Sequence, residues 1–204
     1  MTAGLSGGEK MMAKLAEIAA KTDGNPEVRV GFIENTPYPD GMNTATVAAI
    51  QEWGARIAMP ARTQSIFRKV SKSGAFLNNG RFVKRKISNF ETSHAVGAHS
   101  INIPPRPFFR RMIAEKKKEW GPGTGEALVK FDYDIARTLD AVGDAIAGQL
   151  RQSIVDLTDP PLAKSTIARK SRGTVKKIAG VLGPAKPLVE TGDMLNSISH
   201  QVVI

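Results

Sequence analysis

The 204-residue chain has no cysteine, so disulfide bridges, thiolate metal sites and thiol nucleophiles are excluded. Aromatic residues are sparse, at 6%. No uninterrupted apolar run approaches the roughly 18 residues that suggest a membrane span. The apolar stretch 11–20 is interrupted by Lys14 and Glu17, which argues against a secretory leader and makes a reducing cytoplasm the expected folding compartment. Acidic residues are scarce in one region in particular. Between Arg56 and Trp120 stand 15 Lys and Arg against 3 Glu and no Asp, whereas the rest of the chain holds 14 basic and 16 acidic residues. The formal net charge of +10 therefore sits almost entirely in the middle third. Such a local excess fits an anionic partner, either nucleic acid or an acidic protein surface; dispersed charge would only aid solubility.

Catalytic patterns are also lacking. No Gly-x-Ser-x-Gly occurs. Gly121, Gly123 and Gly125 precede a helical pattern, but Glu126 follows where a phosphate loop needs Lys and Ser or Thr. The histidines are His94, His99 and His200, and the five-residue gap between the first two fits no helical metal pair. Asp140 and Asp144 are four apart on the polar side of a helical pattern, where a solvated face is the ordinary reading. Zinc-finger spacing, basic-zipper heptads and the RNA-binding aromatic motif are absent. The expectation is a protein that is not an enzyme and has neither cofactor nor metal.

What is present is a long helical periodicity. Over residues 126–157 the large apolar positions are Leu128, Phe131, Ile135, Leu139, Val142, Ile146, Leu150, Ile154 and Leu157, spaced by threes and fours. This predicts one long helix packed on a sheet or other helices, with Leu139 and Ile146 nearly fully buried. Gly143 and Gly148 mark either close backbone approach or a weakened exposed face.

Helices are also predicted over 9–21 (Ser6 a candidate cap), 44–53 (capped by Thr44, closed by Gly54), 108–118 and 165–170. Strands are predicted over 28–33, 101–103 and 198–204. Glycines 121–125 read as a linker, 171–186 as a polar loop, and Thr191-Gly192-Asp193 as the cap of a turn through Ser197. Residues 60–100 read as an inserted basic hairpin whose strand-like flanks, 65–70 and 81–87, surround a turn at 71–80. Its candidate partner or DNA contacts are Arg68, Lys69, Lys72, Phe76, Leu77, Arg81, Lys84, Arg85 and Lys86. Phe67, Phe76, Phe82 and Phe90 interleave with the cations, as in a single-strand stacking platform; the plainer reading is one packed aromatic face.

Four segments in order carry a family resemblance: Val28-Arg29-Val30-Gly31-Phe32, Ala48-Ala49-Ile50-Gln51-Glu52-Trp53-Gly54, Ile103-Pro104-Pro105-Arg106-Pro107-Phe108-Phe109 and 187–198 with Leu188-Val189-Glu190-Thr191-Gly192. The stretch 160–170 strengthens it. Together they resemble the tail-completion and neck proteins of tailed bacteriophages, the HK97 gp10-like head–tail joining group. The resemblance implies an α+β fold with a small antiparallel sheet packed on a long α-helix, here a single domain over 1–204 with an extra basic β-hairpin. It singles out Glu52, Trp53, Gly54, Pro105, Arg106, Pro107, Phe108, Thr191 and Gly192 as motif residues, with a Glu52–Arg106 ion pair expected. It further implies a virion protein, assembled in the host cytoplasm, that forms a cyclic ring of six or alternatively twelve subunits. Its expected partners are the adjacent head-adaptor, neck, tail-tube or tail-terminator proteins, with genomic DNA in the channel and no membrane. Shorter members lack the stretch 60–100. The alternatives are a head-side adaptor or stopper, and a basic DNA-binding protein outside the virion.

Overall fold

The computed structural model describes residues 7–21, 24–34, 37–38, 41–172, 186–189 and 192–203. Helices are long, sheets are small and antiparallel, and the fold is α+β. The chain forms two compact units: Met1–Gly54 with Pro104–Ile204, and Ala55–Ile103. The second encloses the expected insertion 60–100 and is somewhat wider. Among the described residues no helix is long and apolar enough to cross a membrane.

The first unit contains α1 (Gly8–Lys21), β1 (Glu27–Gly31) and α2 (Thr44–Trp53). The second unit then contributes β2 (Ala55–Met59), β3 (Arg62–Arg68), β4 (Phe90–Val96) and β5 (His99–Ile103). The chain returns to the first unit through α3 (Phe108–Lys130), α4 (Ile135–Asp156), α5 (Lys164–Arg172), α6 (Asp193–Asn196) and β6 (Ser199–Val203). The Ser6 cap, Thr191, Ile204 and residues 173–185 of the polar loop lie outside the described residues.

The single helix expected over 126–157 is two helices. Asp132 and Tyr133 adopt left-handed φ values of 50° and 62°, and the Asp134 carboxylate then caps α4 by accepting from the Arg137 N–H at 3.1 Å. The apolar spacing runs through this break because Phe131 and Ile135 are still four apart. α3 folds back along α4, with Trp120 Nε1 donating to Gln149 Oε1 at 2.8 Å and Ser153 Oγ donating to the Phe108 carbonyl at 2.7 Å. The expected glycine linker 121–125 is helical and lies inside α3. Pro122 supplies no N–H to the turn before it, a cost of about 3 kcal/mol in a helix interior. Packing of α3 on α4 outweighs it, and Thr124 Oγ1 adds a bond to the Trp120 carbonyl at 2.7 Å.

The core forms around α4. Leu150 and Ile154 are fully enclosed, with Phe108, Met112, Leu157, Val189, Met194 and Ile198 packed about them. Leu139 is buried, but Ile146 is only half-buried. Ile146 borders a depression of about 340 Å³ between α3 and α4, where Gly123, Ala127, Ala141 and Ala145 are too small to cover it. On α2, Asn43 rather than Thr44 is the cap: its Oδ1 accepts the Ala45 N–H at 2.8 Å, while Thr44 is buried. On α1, Met11, Met12 and Leu15 stay exposed and no residue is buried.

β1 and β6 pair antiparallel, with Val28 opposite Val202 and Val30 opposite His200, and they lie on α4. Gly143 is where they approach. A Cβ there would fall 2.5 Å from His200 Cδ2 and 2.9 Å from Val28 Cγ2, whereas a Cβ at Gly148 meets nothing within 4 Å. The two glycines thus have different causes: close packing at 143, an open helix face at 148. Gly148→Ala is expected to raise stability by up to about 1 kcal/mol through helix propensity. Gly143→Ala is expected to lower it by about 1–3 kcal/mol through overpacking. Denaturant midpoints of the two variants that move in the same direction would contradict this assignment.

The second unit is a two-stranded ribbon. β2 pairs with β5, from Ala55↔Ile103 to Met59↔His99, and β3 pairs with β4, from Arg62↔Val96 to Arg68↔Phe90. Pro60-Ala61 and Gly97-Ala98 separate the two ladders. The expected return flank 81–87 is not a strand; it is extended chain ending in a 3₁₀ turn at Arg85–Ile87. Asn78 and Asn79, at φ 55° and 53°, do turn the chain there. The ladder register is set further on. The Asn89 amide donates to the Val70 carbonyl and accepts the Val70 N–H, both at 2.8 Å, and Ser88 Oγ bonds the Arg68 carbonyl at 2.9 Å.

Candidate functional site

The resemblance-bearing segments meet at one joint of the first unit. Glu52, at the end of α2, is 5% exposed. Its carboxylate accepts the Phe109 N–H at 2.9 Å, the Arg110 N–H at 3.1 Å and Arg110 Nε at 2.8 Å. It therefore caps the positive end of α3 from another helix. Arg110 Nη2 returns a bond to the Glu52 carbonyl at 3.0 Å. The same guanidinium lies 3.9 Å over the ring centre of Trp53, a cation–π arrangement. Trp53 is 65% exposed and, with Phe32, Ala45, Ala49 and Phe109, lines an apolar depression of about 250 Å³.

The expected Glu52–Arg106 pair does not form; Arg110 takes that place. Arg106 instead meets Gln51, its N–H donating to the Gln51 carbonyl at 2.6 Å and Nη1 to Gln51 Oε1 at 3.1 Å. The reason is geometric. Pro107 stands at the cap of α3, so Arg106 precedes the helix and turns back along α2, while Arg110 sits in the first helical turn beside Glu52. Arg106 is buried, its Nε finds no partner, and desolvation pushes its pKa below the ordinary arginine value. Pro105 extends the chain into this corner. Phe108 is buried and meets Phe32 edge-to-face at 6.4 Å. Gly54 and Gly192 take positive φ, 76° and 89°, the first ending α2 and the second opening α6.

One polar cluster was not legible in the sequence. His200 of β6 reaches Asp140 Oδ1 at 2.8 Å through Nε2, and Asp144 Oδ1 at 3.4 Å through Nδ1. The aspartates do lie on a solvated face, their side chains 67% and 75% exposed, and they also clasp α4 to the sheet through His200. No spacing signal joins residues sixty apart; only the pairing of β6 with β1 brings them together. Among the described residues, no group of three His, Cys, Asp or Glu is placed to hold a metal ion.

The other candidate is the tip of the second unit. Lys69, Lys72, Arg81, Lys84, Arg85 and Lys86 are exposed and Arg68 is half-buried. The only carboxylate of the unit is Glu91. The Arg68 guanidinium lies 5.4 Å from the ring centre of Phe76 and 5.3 Å from that of Phe82. Phe76 also meets Phe90 edge-on at 5.7 Å, and Arg85 lies over Phe67 at 5.9 Å. Phe76 and Phe82 stay 50% and 68% exposed, so they are not a covered aromatic face. Backbone bonds hold the tip in shape: Leu77 N–H to the Lys69 carbonyl at 2.8 Å and Val83 N–H to the Phe67 carbonyl at 2.9 Å. Leu77 remains partly exposed beside them. Asn78, Asn79, Arg81, Phe82 and Val83 line a shallow depression of about 430 Å³.

Comparison with protein-family models, with curated proteins and with solved structures returned no match to this chain.

Proposed function

We propose that this chain is a non-catalytic structural protein of a tailed-phage virion, a ring subunit at the head–tail neck that completes or joins the tail. The observation that carries the reading is the joint at Glu52. The Glu-aromatic-Gly segment and the Pro-x-Arg-Pro-Phe segment, fifty residues apart, are held together by one buried carboxylate on the start of α3. Residues common to a recognisable pattern thus do a common structural job, and the basic second unit is inserted between them. A neck must enclose a passage for DNA, which a closed cyclic ring with a heterologous interface provides; six subunits is the first expectation, with twelve the alternative. Neighbouring head-adaptor, neck and tail-end proteins are its partners, and the basic ribbon meets one of them or the DNA in the channel.

Removing residues 71–80 from the tip, and separately changing Lys84, Arg85 and Lys86 to Glu, is expected to leave the first unit folded. In both cases full heads and separate tails should accumulate, visible by electron microscopy of lysates. Normally joined particles that eject DNA slowly would move the ribbon's role to the channel. Fully infectious particles from both variants, or a two-fold dimer as the only form in particles, would overturn the proposal.

A further inference from the structure

We infer that the tip of the second unit is a binding site for single-stranded nucleic acid, in which Phe82 stacks on a base and the surrounding cations hold the phosphates. The inference stands on the second unit alone and does not require a ring.

Three observations converge. First, the segment from Arg68 to Ile87 carries seven Lys and Arg and no acidic residue, and among the described residues none of the seven forms an ion pair. Like charges gathered this closely repel one another, and a polyanion offsets that cost. Second, the cations sit on a hydrogen-bonded frame, with Val70 clasped by Asn89 and Val83 bonded to Phe67, so the backbone positions from which they project are set before a ligand arrives. Third, the exposed apolar surface of the tip, which includes Leu77 and Ile87, carries two rings paired with charge. Arg68 contacts both Phe76 and Phe82, yet Phe82 is still 68% exposed. A ring steadied by a guanidinium and otherwise bare is the element that stacks bases without regard to sequence.

The depression beside Phe82 fits the same ligand. At about 430 Å³ it is large enough for a nucleotide. Its lining supplies a ring, the amides of Asn78 and Asn79 to meet a base edge, and Arg81 to meet a phosphate. A neighbouring protein surface could neutralise the cations and seat the ring as an anchor, but a base meets the ring and the flanking amides with one planar group. Duplex DNA would meet the cations with its phosphates, but its bases are already stacked on one another.

The test uses the full chain and a fluorescein-labelled 20-mer of oligodeoxythymidylate, with binding followed by anisotropy across a salt series. The wild type is expected to bind, with log K falling against log salt at a slope of roughly −3 to −5, the range for several released counterions on a single strand. Phe82→Ala should weaken binding about 5- to 150-fold, the loss of one base–aromatic stack, with the salt slope unchanged. Changing Lys84, Arg85 and Lys86 together to Gln should instead flatten the slope by about 2. A duplex 20-mer and polyglutamate should each compete poorly. Competition by polyglutamate equal to that of the single strand would replace the proposal with an acidic protein partner. Equal competition by duplex, an unaltered affinity in the Phe82→Ala variant, or no binding by the wild type would each overturn it. Unchanged fluorescence of Trp53 and Trp120, both outside the second unit, monitors folding of the first unit in every variant.

Discussion

Replacing Leu150 by Ala is expected to lower unfolding stability by about 2–5 kcal/mol, whereas Ile146→Ala should cost about half as much or less. The two residues share a helix and the same apolar periodicity, so the difference lies wholly in tertiary setting. Leu150 is fully enclosed in the centre of the core, and its truncation leaves a void that rigid neighbours cannot fill. Ile146 borders an open depression between α3 and α4, so part of its surface is already in water and the space left behind is continuous with solvent. Urea unfolding followed by Trp120 fluorescence measures both. Equal losses would show that the depression closes in solution; a negligible loss at Leu150 would remove α4 from the centre of the fold.

A comparable effect is expected at Glu52. Its carboxylate is 5% exposed and satisfies two backbone N–H groups of α3 as well as Arg110. Glu52→Ala strands those donors at a buried helix start, at an expected cost of about 3–5 kcal/mol. Arg110→Ala should cost far less, about 1 kcal/mol, because the Arg110 side chain is 47% exposed and water screens the pair. The asymmetry is the informative part. If both variants lost the same stability, the surface ion pair would be the important contact and the capping of α3 incidental. Glu52→Gln, which keeps one acceptor oxygen, should fall between them.

Much of the α+β fold is legible in the sequence, and the failures have identifiable physical causes. The face of α4 is visible in its apolar spacing, but the break at Phe131–Asp134 is not, because the turn happens to preserve the count of residues. The helix through Gly121-Pro122-Gly123 runs against local propensity and exists only because α3 has α4 to pack on. The ribbon is visible as a basic stretch between turn signals. Its register is not, since it depends on Asn89 and Ser88, which bond Val70 and Arg68 from 19 and 20 residues further along the chain. At the joint, Glu52 is marked by its motif, whereas Arg110 is one of two adjacent arginines that nothing in the sequence tells apart. The charge of the tip could be counted directly. That Phe76 and Phe82 stay bare could not, since alternation of aromatic and basic residues is the same whether the rings are covered or exposed.

The ribbon leaves the first unit after Gly54 and returns at Pro104, and Ala55 stands directly opposite Ile103 in its ladder. The two ends are therefore closed on each other by the first rung, whatever lies beyond. Residue pairs can be added to or removed from the limbs without altering the distance the first unit has to span. Each added pair changes the ribbon's own length by about 3.3 Å, so that length becomes a quantity evolution, or an engineer, can set independently of the core. A two-residue turn in place of the whole ribbon should leave the first unit closed, and a lengthened ribbon should set the same tip further from its own first rung, as a ruler carries its mark.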